Sequence, residues 1–144
     1  MTPRRITLVI LSLPENVCMV GVSVASIAAH AGFSELDSGR IAVCAVEAVN
    51  NAIEHAYRNA PDRTVEITVS LYEDRLCLSV TDDGLGMTTL PETALDFDPE
   101  DRESLPEGGM GLFIIRNFMD EVEYRSSPAG NVLFLTKHFS AKAV

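Results

Sequence analysis

The sequence predicts an α+β two-layer sandwich: one mixed, largely antiparallel sheet covered by helices on a single face. Three observations lead there. Alternating apolar strands occur as neighbouring hairpin-like pairs, at 64–72 with 75–81 and at 121–126 with 132–138. Two long helical stretches follow the first strand, one directly after the other. The order βααββ–loop–αββ contains local hairpins, which favour antiparallel pairing over a doubly wound parallel sheet.

Residues 4 to 13 read as the first strand, with Ile6, Leu8, Ile10 and Ser12 alternating against Thr7, Val9 and Leu11. Pro14 and Glu15 suit the first turn of a helix that runs to about Ala31 and stops at Gly32. Ser34 or Asp37 caps a second helix from Leu36 to about Arg58, ended by the breaker cluster Asn59, Ala60, Pro61 and Asp62. In the following strand pair Val65, Ile67, Val69 and Leu71 share one face, as do Leu76, Leu78 and Val80, with a tight turn at Glu73 and Asp74. Residues 83 to 110 lack a repeating pattern and hold Pro91, Pro99 and Pro106; a loop of that length in a compact domain is usually functional, such as a lid. A helix over 111–119 and two strands joined by a turn at 128–130 close the chain.

At 144 residues, 47% hydrophobic and 22% charged, the chain is a single domain able to bury a core without staples. Its net charge of −10 makes direct nucleic-acid binding and anionic membrane poor expectations, while a local nucleotide site stays open. Cys18, Cys44 and Cys77 show no metal or redox spacing and fit a reducing, cytoplasmic setting. Arg4 and Arg5 before an apolar run resemble a secretory leader, but Pro14, Glu15 and Asn16 stand where small residues should mark a cleavage site. The uncharged stretch 16–34 is too polar for a membrane span.

Three segments carry chemistry. Glu47, Asn51 and His55 recur every four residues on the second helix, beside Ala45, Ala48, Val49 and Ala52. A carboxylate and a carboxamide one turn apart suit a proton acceptor and a hard Mg²⁺ ligand. Asp82-Asp83-Gly84-Leu85-Gly86-Met87 follows an apolar strand, placing an acid at a sheet edge where glycines admit a ligand close to backbone. Glu107-Gly108-Gly109-Met110-Gly111 opens a helix, where free N–H groups and the helix dipole favour an anion. It matches neither a P-loop nor a dinucleotide fingerprint. Taken singly, these segments equally describe a solvated helix face, an Asp-Gly turn and a Gly-rich helix start.

In this fixed order the three segments resemble the N, G1 and G2 boxes of the GHKL ATPase superfamily. The runs Glu47-Ala48-Val49-x-Asn51-Ala52-Ile53-x-His55, Asp82-x-Gly84-Leu85-Gly86, Gly109-Met110-Gly111, Asn117-Phe118-Met119-Asp120 and Leu135-Thr136-Lys137-His138 are most similar to the bacterial anti-sigma-factor serine/threonine kinases. The resemblance implies the GHKL (Bergerat) fold over residues 1–144, with an ATP lid at about 88–107, and ATP with Mg²⁺ as cofactors. It implies that Asp82 reads adenine, that Gly84 and Gly86 let the base approach, and that Thr136 supports it. It further assigns Mg²⁺ to Asn51, the phosphates to the backbone of Gly109 and Gly111, and proton acceptance to Glu47. Expected partners are an anti-anti-sigma (STAS) protein as the serine substrate, a sigma factor, and a second copy in a homodimer. One departure stands out: residues 92–107 hold seven acids and one base, Arg102, where relatives carry Lys and Arg. Two other readings compete: an ATP-holding, partner-switching module without phosphoryl transfer, and a detached histidine-kinase catalytic domain. The region before the N box is too short for the phosphoacceptor hairpin of the latter.

Overall fold

The computed structural model describes residues 2–86 and 110–140. The proposed lid therefore lies outside the described residues, as does Gly109. The element order is β1 (Arg4–Leu11), α1 (Pro14–Ala31), α2 (Glu35–Asn51), a π-helical turn (Ala52–Ala56), β2 (Thr64–Leu71), β3 (Arg75–Asp82), α3 (Met110–Phe118), β4 (Glu121–Ser127) and β5 (Gly130–His138). The strands form one sheet in the order β1-β2-β3-β5-β4. Every pairing among them is antiparallel, so the expected mixed sheet is uniformly antiparallel among the described residues. Hairpins account for two of the four pairings, β2 with β3 and β4 with β5; β1 reaches β2 across both helices, and β3 with β5 joins the two hairpins.

The core follows the alternation. Val65, Ile67 and Val69 of β2, Leu76, Leu78 and Val80 of β3, and Leu133 and Leu135 of β5 are buried against Val17, Val20, Val24, Ile41, Cys44, Ala45 and Val49 of the helices. Edge strand β1 contributes less: Leu8 and Ile10 pack on the core, while Val9 is 65% exposed on the other face. Burial pushes the Cys44 thiol up to about 12, so it serves as a small apolar side chain.

Helix ends follow their local chemistry. Pro14 opens α1, and Gly32, at φ 111°, closes it in the left-handed region that glycine enters without strain. Ser34, not Asp37, caps α2: its Oγ accepts the Asp37 N–H at 3.1 Å. Helices α1 and α2 cross so closely at Gly21 that a Cβ there would lie 2.9 Å from Val46 Cγ2.

The expected continuous helix to Arg58 is not what forms. Regular α-helix stops at Asn51 and the chain widens into the π turn, where the Tyr57 N–H reaches the Ala52 carbonyl at 2.9 Å. Arg58 and Asn59 then take positive φ values of 49° and 63°, which end the helix before Pro61. Buried Ser12 ties this turn to β1: its hydroxyl donates to the Ala60 carbonyl and accepts the Arg63 N–H. No helix of the described residues is long and apolar enough to cross a membrane.

Candidate active site

A cleft opens between the C-terminal half of α2 and the end of β3. Ala48, Asn51, Ala52 and His55 line it from the helix, Val80, Asp82 and Leu133 from the sheet, and Leu112 from α3. Its walls are mainly apolar, and among the described residues Asp82 is its one carboxylate. Asn51 and Asp82, thirty-one residues apart in sequence, thus face one space. Burial raises the Asp82 pKa above the ordinary carboxylate range and the neighbouring Asp83 charge adds to the rise; bonds from Asn131 and the Gly84 N–H oppose it.

Glu47 stands one helical turn before Asn51, outside the lining of this cleft. It meets the start of α3 instead: a Cβ built on Gly111 would lie 2.7 Å from Glu47 Oε2. The first and third sequence segments therefore converge, with an acid at the N-terminal turn of a helix, where the backbone dipole is positive. Burial raises the Glu47 pKa, and the charge of Glu54 raises it further. A carboxyl so placed holds its proton more tightly than an exposed one, which suits an acceptor of a substrate proton.

The Asp82–Gly86 loop is gripped from both sides. A Cβ on Gly84 would lie 2.3 Å from the Ala56 carbonyl oxygen, the same oxygen that accepts the Leu85 N–H at 2.9 Å. The π turn brings that carbonyl to the loop. Tyr57, next in sequence, accepts the Asp83 N–H at 3.0 Å. On the other side, Gly86 lies against Ser126 and Asn131.

Thr136 does not join this group. It stands opposite Cys77 in the β3–β5 register, with its Oγ1 3.7 Å from Cys77 Sγ on the face away from the helices. The residue opposite Asp82 is Asn131, whose Nδ2 donates to Asp82 Oδ1 at 2.7 Å. Thr136 is not among the described residues that line the cleft, because an odd offset from Asn131 along the strand turns its side chain to the other face. Asn131 was missed by motif reading. A signal for it does exist, since Asn is disfavoured in a strand and here directly follows a turn glycine.

The residues present fit an adenine nucleotide. An acid projects into an apolar slot, two glycines lie where a Cβ would collide with neighbouring chain, and a helix start stands beside Glu47. Among the described residues no group of three or more His, Cys, Asp and Glu could hold a metal ion by itself. An ion held here would be shared between Asn51 and a phosphate.

Comparison with known proteins agrees with this geometry. The histidine kinase-like ATPase domain family matches residues 10–137. The serine-protein kinase RsbW of Listeria monocytogenes is 32% identical over 143 residues, spanning 97% of this chain and 90% of that one. The anti-sigma F factor of Bacillus velezensis is 37% identical over 130 residues, spanning 90% and 88%. Among solved structures, the RsbU and RsbW domains of a Mycobacterium tuberculosis protein superpose with a TM-score of 0.67 at 17% identity, covering 93% of this chain. The match occupies 31% of that longer polypeptide, and at this identity it speaks for the fold alone. This chain belongs to the histidine kinase-like ATPase family, within its branch of anti-sigma-factor serine kinases.

Proposed function

We propose that this protein is an ATP-dependent serine kinase and anti-sigma factor, which phosphorylates a serine of an anti-anti-sigma (STAS) protein and holds a sigma factor. The observation that carries the catalytic part is Glu47 packed on Gly111 at the start of α3, one turn from Asn51 at the cleft. The partner classes rest on relatives named as a serine-protein kinase and an anti-sigma factor. A net charge of −10 favours such protein partners over nucleic acid.

In this reading Asp82 accepts the exocyclic amino hydrogen of adenine, between the apolar walls of Val80, Leu112 and Leu133. Gly84 and Gly86 leave room for the base. Asn51 is the protein ligand to Mg²⁺, and that ion, when bound, offsets phosphate charge. The N–H groups assigned to the phosphates are those of Gly111 and of Gly109, the latter outside the described residues. Glu47 takes the proton from the substrate serine as its oxygen bonds to the γ-phosphorus and the bond to the β-phosphate oxygen breaks, leaving ADP. A homodimer and a cytoplasmic setting belong to the same reading.

The acidic segment 92–107 favours a second reading, in which nucleotide is held and partners are exchanged without transfer. Glu47→Gln separates the two. It keeps side-chain size but removes proton acceptance, so ATP binding should persist while transfer to a serine substrate falls by about 10²–10⁴. Equal transfer by both proteins would remove Glu47 as the base. No transfer by the wild type, with Mg-ATP bound and a verified substrate, would establish the switch.

A further inference from the structure

The second sequence segment is held by a polar cluster that the proposed chemistry has not yet used. Asn131 is 2% exposed and sits at the start of β5, directly opposite Asp82. Its Nδ2 donates to Asp82 Oδ1 at 2.7 Å and to the Gly84 carbonyl at 3.0 Å. Its Oδ1 accepts from the Ser126 hydroxyl at 2.7 Å. Both amide hydrogens and the amide oxygen are therefore engaged inside the protein. The Gly84 N–H also donates to Asp82 Oδ1, at 3.0 Å. A Cβ on Gly86 would lie 2.1 Å from Ser126 Oγ and 2.7 Å from Asn131 Oδ1, so the loop is seated on this same pair.

Two consequences follow. All the bonds that reach Asp82 from the described residues end on Oδ1, which leaves Oδ2 for the cleft. Both amide hydrogens of Asn131 are spent inside the protein, which leaves it no donor for a base. We propose that Asn131, itself held by Ser126, is the positioning residue that turns one oxygen of Asp82 toward the nucleobase and so sets the preference for adenine over guanine. The inference rests on the ATP-binding reading above. An amino group at the purine 6-position satisfies a fixed carboxylate oxygen, whereas a carbonyl there is repelled by it. A carboxylate free to rotate discriminates less, because water can replace it.

The experiment measures ATP and GTP binding, with Mg²⁺, to the full chain and to Asn131→Ala, Asn131→Ser and Asn131→Asp, with thermal melts of each. In Asn131→Ala the ATP affinity should fall by about ten- to a hundredfold, the worth of one charge-assisted bond. GTP affinity should change much less, so the ratio between the two narrows. Loss of folded protein alone would lower both nucleotides in step, so the ratio separates positioning from stability. Asn131→Ser, which keeps a donor and a small volume, should lie between, and it carries the test if Asn131→Ala does not fold. Asn131→Asp sets two carboxylates together and should bind ATP worse than Asn131→Ala. Wild-type preference for ATP in a folded Asn131→Ala or Asn131→Ser would overturn the positioning role and leave ATP binding intact. Failure of the wild type to bind ATP would overturn the functional reading, and this inference with it.

Discussion

Replacing Gly111 by Ala tests whether the N-box carboxylate and the Gly-rich helix start really meet. The added methyl carbon would stand 2.7 Å from Glu47 Oε2 and 3.4 Å from Glu47 Cβ, against the 3.4–4 Å of ordinary contact. The second distance is tolerable; the first is not, so the carboxylate must retreat by roughly 0.7 Å. Because it is the free end of a side chain, it can do so without moving the backbone. Alanine also suits a helix better than glycine by about 0.5–1 kcal/mol. That gain roughly balances the tighter packing, so the melting temperature should stay within about 3 °C of wild type. Transfer is another matter. A misplacement near 1 Å costs on the order of 10²-fold, so phosphoserine formation at saturating Mg-ATP should fall by about ten- to a hundredfold. Glu47→Asp, one methylene shorter, should cost activity alone but cost less in the Gly111→Ala background, where the shorter acid relieves the collision. Transfer at the wild-type rate by a normally folded Gly111→Ala protein would refute the contact and the role built on it.

Three further outcomes are expected. The Glu47 pKa is raised in the fold, so its favourable contribution is complete below the ordinary Glu range and is lost as pH rises through the folded value; Glu47→Gln should therefore melt higher than wild type at pH 7, with the gap closing towards about pH 4. Gly84→Ala sets a methyl carbon 2.3 Å from the Ala56 carbonyl oxygen and should cost about 2–4 kcal/mol through overpacking and loss of the bond from Leu85, visible as a lowered denaturation midpoint. Asn51→Ala should weaken Mg-ATP binding far more than binding of metal-free ATP, and an equal loss in calorimetry would make Asn51 a structural residue.

Much of this arrangement was legible in the sequence because short-range physics decides it. The faces of β2 and β3 follow from strict alternation, the end of α1 from Gly32, and the spacing of Glu47 and Asn51 from helical periodicity. The π turn was not legible, since Ala52, Ile53 and Ala56 pack equally well on either helical pitch. The contact that the turn makes lies far off in sequence: the Ala56 carbonyl at its end accepts the Leu85 N–H. The place of Thr136, away from the cleft lining, was hidden for a related reason. A linear motif does not give strand register, and Thr136 lies five residues beyond the partner of Asp82, about 17 Å along β5 and on the opposite face. Only pairing with β3 shows that Asn131 is the neighbour that matters.

That pairing also has a temporal meaning. Strands β1, β2 and β3 adjoin in the sheet and lie within the first 82 residues, so their pairing can proceed as the chain emerges. The grip on Asp82, Gly84 and Gly86 cannot, because Ser126 and Asn131 are made forty or more residues later. Closing so long an interval is among the slow steps of assembly. In the proposed reading, nucleotide recognition therefore waits for the hairpin of β4 and β5. On that reading, a nascent chain that carries Glu47, Asn51 and the Asp82–Gly86 loop, but not yet the β4–β5 hairpin, would leave the cellular nucleotide pool untouched.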